Sequence, residues 1–175
     1  MDQEVRRIIT DEWRQYRDLR LEALKDSPLA FVEQYDDSVR RGDRFWQERV
    51  ERSATGQTSS TFVAVHAGTF IGKASCFVEP EITEYVSAHV VGVYVTPRFR
   101  GQRVAEALMA AVLTWARHAG AARIRLFVME TNDRATAFYR RLGFVPTGAT
   151  MAYPPNPAFT EHEMEYHARA GASVG

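Results

Sequence analysis

The stretch that most narrows what this chain can fold into is VVGVYVTPRFRGQRVAEAL, Val90 to Leu108, where a β-branched apolar run passes through a basic turn into a helical pattern. Val90, Val91, Val93 and Val95 favour a buried strand, since branched side chains pack well on a pleated surface, and Thr96 and Pro97 end it. Beyond Gly101, Val104, Ala107, Leu108, Ala111, Val112 and Trp115 recur at the i, i+3, i+4, i+7 spacing of one apolar helix face. The first turn of such a helix leaves backbone N–H groups unpaired at the positive end of its dipole, and Arg98, Arg100 and Arg103 crowd beside it. An anion such as a pyrophosphate is the natural occupant of that corner.

A second segment repeats the logic. Arg123 to Glu130, RIRLFVME, reads as a strand, and TNDRATAFYRRLGFVPTG then reads as a cap, a short helix and a glycine stop. Ala135, Phe138, Tyr139 and Leu142 share one helix face, Asn132 or Asp133 can cap its start, and Gly143 suits its end.

Together the two segments resemble the cofactor motifs of the GNAT superfamily, the acyl-CoA-dependent N-acyltransferases. That family carries Arg/Gln-x-x-Gly-x-Gly/Ala at the strand-to-helix turn, and Arg100-Gly101-Gln102-Arg103-Val104-Ala105 matches it at the first and last positions. Arg103 stands where the family has glycine. The family's later Asn, Ala, Phe-Tyr and Gly-Phe map onto Asn132, Ala135 or Ala137, Phe138-Tyr139 and Gly143-Phe144. The strong resemblance covers about Val90 to Phe144; the flanks agree in pattern only.

The resemblance implies an α+β fold, with a central mixed sheet whose two parallel strands splay apart and are flanked by helices. Val90 to Val95 and Ile124 to Met129 would be those strands, with a β-bulge near Gly92 or Tyr94 starting the splay. It implies acetyl-CoA as co-substrate, with Val93 and Val95 offering backbone to the pantetheine amides. Arg100, Gly101, Arg103, Val104 and Ala105 would surround the phosphates. It also makes Tyr139 the acid that protonates the departing CoA thiolate; by spacing alone Tyr139 is a packed aromatic. Asn132 can bind the pantetheine arm or cap its helix, two roles that use the same side-chain oxygen.

The base is open. By strand alternation His89 shares a face with Val91 and Val93, and a neutral imidazole can take an amine proton directly or through water. Glu79, Glu81 and Glu84 are the neighbouring alternatives. Cys76 reads as a small strand residue, and His162 and His167 lack metal-ligand spacing, so no metal is expected. Phe31, Tyr35, Trp46, Tyr153 and Asn156 can wall an acceptor pocket or simply pack. Glu33, Asp36, Asp37 and the Glu79 to Glu84 group hint at attraction for a cationic amine, against the plainer reading of solvated charges.

Composition allows this reading. The 175 residues are 45% hydrophobic, enough for one sizeable core, and no low-complexity linker divides them. One domain over 1–167 with a disordered tail over 168–175 is expected. The 22 basic and 22 acidic side chains balance, which removes the electrostatic case for a nucleic-acid or membrane-surface partner. Neither a signal-like apolar segment at the start nor a bilayer-spanning run is present, and a single cysteine makes no internal disulfide, so a soluble, cytoplasmic chain is expected. The expected activity is acetyl transfer from acetyl-CoA to a primary amine of a small molecule or peptide, by direct attack in a ternary complex; a homodimer is compatible with it. A noncatalytic acyl-CoA-binding or sensing module is the alternative, motivated by Arg103 and by the absence of an obvious base. A doubly wound nucleotide-binding domain would use similar helix-end physics, but the glycine-rich fingerprint is missing.

Patterning further predicts a first strand over Glu4 to Thr10, helices over Asp11 to Lys25 and Asp43 to Arg52, and strands over Thr61 to His66 and Thr69 to Glu79 turning at Ala67-Gly68. Tyr85 to Val95 continues the sheet. A strand from Phe144 to about Tyr153, a proline-rich loop through Pro157 and a strand near His162 to His167 complete it.

Overall fold

A computed structural model describes residues 3–79 and 86–167 of the chain. Glu81, Glu84, Tyr85 and the expected tail at 168–175 lie outside the described residues. Seven strands form one sheet in the order β1-β2-β3-β4-β5-β7-β6: β1 Gln3–Arg7, β2 Ser59–His66, β3 Thr69–Val78, β4 Ser87–Val95, β5 Arg123–Met129, β6 Phe144–Ala152 and β7 Thr160–Tyr166. Every pairing is antiparallel except that of β4 with β5. The helices are α1 Trp13–Asp26, α2 Tyr35–Ser38, α3 Asp43–Thr55, α4 Val104–His118 and α5 Asp133–Leu142. The mixed α+β architecture expected from the sequence is the one observed.

Two apolar clusters pack on opposite faces of the sheet. One joins Ala88, Val90, Val95, Ile124, Leu126 and Val128 to α4 and to the apolar side of α5. The other joins Val63, Phe70 and Tyr94 to α1 and α3 through Tyr16, Leu19, Trp46 and Val50. Alternation explains the division, since neighbours such as Val63 and Ala64, or Phe70 and Ile71, go to different clusters. The buried face of α4 differs from the expected one. Val104, Leu108 and Val112 are buried as anticipated, but Met109, Leu113 and Ala116 complete the stripe, while Ala107 is exposed and Ala111 and Trp115 are only half-buried. This helix is apolar nearly all round, so periodicity alone did not single out the face that meets the sheet.

The departure from a regular sheet begins in β4. Lys73 pairs with Tyr94 but Ser75 pairs with Val91, so Gly92 and Val93 together oppose Ala74 alone. This is a β-bulge, and Gly92 has the positive φ of 65° that only glycine adopts at little cost. Pairing of β4 with β5 extends only from Ser87–Arg123 to His89–Arg125. Beyond it β5 pairs with β7 alone, and the two parallel strands diverge.

The bulge also corrects an expectation. Simple alternation puts His89, Val91 and Val93 on one face, but the extra residue shifts the phase, and Val93 packs in the cluster of Val90 and Val95 instead. His89 is turned the other way, between the rings of Phe77 and Phe127 with centroids at 5.2 and 5.6 Å.

Candidate active site

The opening between β4 and β5 is a cavity of about 530 Å³. Val93, Tyr94 and Val95 line it from β4; Arg100, Gly101, Arg103, Val104 and Ala105 from the turn and first residues of α4; and Asn132, Ala135, Phe138 and Tyr139 from the start and face of α5. Phe31 closes it from the loop after α1. The residues expected to meet the cofactor thus surround one space, although they come from three separated stretches of chain.

The turn is built for a close backbone approach. Gly101 has φ 77° and Arg103 has φ 64°, so the position occupied by glycine in the family pattern takes the left-handed conformation even with arginine there. Arg103 is the N-cap of α4 but makes no side-chain cap hydrogen bond, and the first N–H of this helix to be paired is that of Ala107. The N–H groups of Val104, Ala105 and Glu106 are therefore left for an anion at the helix end.

Arg100 has a different position from that expected of a phosphate ligand. Its Nε donates to the Val95 carbonyl at 2.9 Å and its Nη2 is ion-paired with Asp26. Its guanidinium braces the turn against β4 and the end of α1. The Val95 carbonyl already accepts that bond, which leaves only its second lone pair for an amide of a bound ligand. Arg98 is exposed and outside the lining. Two arginines not anticipated, Arg134 and Arg141, do line the cavity. Their sequence signal was an i, i+7 spacing on α5, the same face two turns apart.

Of the two roles open to Asn132, the helix cap is the one seen: Oδ1 accepts from the Ala135 N–H at 3.0 Å at the start of α5, while the residue also lines the cavity. Tyr139 lies between Phe138 and Phe144, with ring centroids at 5.3 and 5.7 Å. Burial pushes its hydroxyl up to about 12, so it stays protonated throughout the neutral range.

His89 lines neither this cavity nor the second one described below. Burial lowers its pKa from the ordinary value; Glu79, with a carboxylate oxygen 3.9 Å from Nδ1, opposes that shift, and Arg125 adds to it. Glu79 itself is paired with Arg125 at 2.6 Å. Cys76 is fully buried and its thiol is pushed up to about 12 by desolvation, which fits a packing residue rather than a nucleophile. Trp46 and Tyr153 are core residues, and the Tyr153 hydroxyl donates to the Phe31 carbonyl at 2.6 Å, fixing the loop that brings Phe31 to the cavity. Glu33 is not available to a cationic amine: Arg20, Arg49 and the Ser38 hydroxyl all bond its carboxylate. Among the described residues no group of His, Cys, Asp and Glu is placed to hold a metal, and no helix is long and apolar enough to cross a membrane.

A bulged strand, a parallel strand leaving it, and a helix end with no side-chain cap meet at this one cleft. The family model of the acetyltransferase (GNAT) family matches residues 6–144, and the chain belongs to that family. No curated protein matched in sequence. Among solved structures, the PaiA N-acetyltransferase of Thermoplasma acidophilum, crystallised with coenzyme A, is similar with a TM-score of 0.74 at 16% identity, over 95% of this chain and 100% of that one. A GNAT-family acetyltransferase from Streptococcus pneumoniae aligns with a TM-score of 0.77 at 15% identity, over 94% and 98%. A GCN5-related N-acetyltransferase from Kribbella flavida reaches 0.71 at 24% identity, over 93% and 96%.

Proposed function

We propose that this protein transfers an acetyl group from acetyl-CoA to a primary amine by direct attack in a ternary complex. The observation that carries the reading is the convergence of three features on one cavity: the splayed backbone at Val93–Val95, the first N–H groups of α4, which have no partner among the described residues, and Tyr139. The first would hold the pantetheine arm and the second the pyrophosphate, with Arg103, Arg134 and Arg141 adding charge around the phosphates. Tyr139 would then donate to the sulfur. Holding amine and thioester in one geometry supplies much of the acceleration in such a reaction, because a bimolecular encounter becomes intramolecular.

The amine must lose a proton. His89, kept neutral by its burial, is the acceptor in this proposal, and since it lines neither cavity the proton travels through water. The alternative of a noncatalytic acyl-CoA-binding module drew on Arg103 replacing a glycine. The left-handed backbone at Arg103 weakens that motive, because the turn keeps the conformation that the glycine would have provided.

The test is release of free CoA thiol from acetyl-CoA with a panel of small amines and peptides. Turnover above the hydrolysis background with at least one amine is the expected result. Tight acetyl-CoA binding without turnover on any amine would leave the binding-module reading in its place.

A further inference from the structure

A second cavity, of about 190 Å³, lies beside the bulge. It is well under half the volume of the first, room for one small polar group rather than a whole cofactor. Val91 and Gly92 line it, immediately before the β4 residues that line the first cavity. Arg20, which also lines it, lies over the ring of Phe31 at 4.6 Å, and Phe31 borders the first cavity. The two spaces are neighbours across one aromatic side chain.

Among the described residues the charge around this second cavity is unbalanced. Arg20, Arg49, Arg52 and Lys73 line it, and the acidic partner bonded there is Glu33. Arg20 is 5% exposed and uses Nε and Nη2 on Glu33 at 3.0 and 2.7 Å, but its buried Nη1 has no hydrogen-bond partner among the described residues. Lys73 is 1% exposed, and its Nζ donates to the Gly92 carbonyl at 3.0 Å with at least one further proton to place. Both groups reach the same point: a Cβ added at Gly92 would lie 2.8 Å from Lys73 Nζ and 3.5 Å from Arg20 Nη1. Thr61 and Ser75 add hydroxyls, 2.8 Å apart.

Buried donors with no acceptor are costly, and adjacent buried cations are more so. Burial, together with the charges of Arg20 and Arg49, lowers the pKa of the Lys73 ammonium well below its usual value. An arriving oxyanion would satisfy Arg20 Nη1, neutralise the excess charge and restore the ammonium.

We propose that this cavity binds a carboxylate or phosphate group of the acceptor, so that the substrate is a small amine carrying an anionic group, held by Arg20 and Lys73 while its amine extends toward the thioester. This assignment rests on the acyltransferase reading only for the placing of the amine. It makes the chain a poor catalyst for polyamines, whose every charge would oppose those of Arg20 and Lys73.

The experiment compares amines of matched length in the thiol-release assay: β-alanine for the carboxylate, phosphoethanolamine for the phosphate, ethanolamine as the neutral control, and spermidine. One of the anionic amines is expected to show kcat/KM at least about tenfold above ethanolamine and spermidine, and which one identifies the oxyanion. Arg20→Gln should reduce that preference about tenfold or more, mainly through KM, with acetyl-CoA affinity unchanged. Equal rates for the neutral and anionic amines, or preference for spermidine, would overturn the proposal. Lys73→Met provides a second variant should Arg20→Gln not fold.

Phosphate titrated calorimetrically at fixed ionic strength, with CoA already saturating the first cavity, separates the two readings. Binding to the wild type that is lost in Lys73→Met supports the anion site even if no amine is acetylated, in which case only the transfer reading fails. No phosphate or carboxylate binding in the CoA-saturated protein sinks the anion site while leaving acetyl transfer standing.

Discussion

Tyr139 keeps its proton because burial disfavours the phenolate, and that would set the kind of help it can give a departing thiolate in the proposed transfer. An ordinary thiol has a pKa of about 8.5, well below that of this buried hydroxyl, so complete proton transfer to the thiolate runs uphill. In the proposed transfer the hydroxyl would therefore act first as a hydrogen-bond donor to the sulfur as the carbon–sulfur bond breaks, and the proton would follow. Tyr139→Phe keeps the ring that packs between Phe138 and Phe144 and deletes only that donor. Stability and acetyl-CoA affinity should hardly change, while single-turnover transfer to a confirmed amine falls by about 100-fold, the low end for general-acid catalysis. An unaltered single-turnover rate would make Tyr139 a packing residue and leave the proton to solvent. At this scale the sequence was informative where a residue's neighbours in the chain set its role and poor where distant ones did. The cap by Asn132 follows from local chemistry, but the capture of Arg100 by Asp26 and Val95 joins α1, β4 and the turn, and no local pattern announces it.

At the scale of elements, the β4–turn–α4 unit was legible because each part has its own signal: branched residues for the strand, Thr96-Pro97 for its stop, and apolar periodicity for the helix. The bulge was anticipated through Gly92, but its consequence for His89 was not, since an inserted residue reverses which face every later side chain takes. Four-residue α2 was missed because it is barely one helical turn and so has no periodicity to read. The entry to α4 carries a test of its own. A left-handed conformation costs an ordinary residue about 1–2 kcal/mol, and glycine escapes that cost but loses more chain entropy on folding. Arg103→Gly should therefore leave stability within about 1 kcal/mol and weaken acetyl-CoA binding only a few-fold through the lost side-chain charge. Arg103→Val places a β-branched residue at φ 64° and should lose at least 1–2 kcal/mol of stability together with much of the binding. Denaturant titration and calorimetry on the two variants check this; a valine variant indistinguishable from wild type would show that the left-handed turn is not what shapes the helix end.

For the whole molecule, the splay that makes the cleft also weakens the sheet at its middle. Among the described residues three residue pairs join β4 to β5, so the β5-β7-β6 half is held to the rest largely by the α4-side core and by contacts such as the Tyr153 hydroxyl on the Phe31 carbonyl. A ligand lying between the diverging strands, with its phosphates on α4 and its arm beside α5, would bridge both halves in the native state and neither in the unfolded chain. At a concentration 100 times its dissociation constant, acetyl-CoA should then add about 2.7 kcal/mol, a rise in Tm of roughly 5–10 °C for a domain of this size. Bridging makes a sharper demand than stabilisation alone: amide exchange should slow on both sides of the gap, at Val93–Val95 in β4 and at the start of α5, and not merely around the α4 helix end. Protection confined to residues 101–106 would mean that only the phosphates are bound, and an unchanged Tm at saturating acetyl-CoA would remove the cofactor from the cleft altogether.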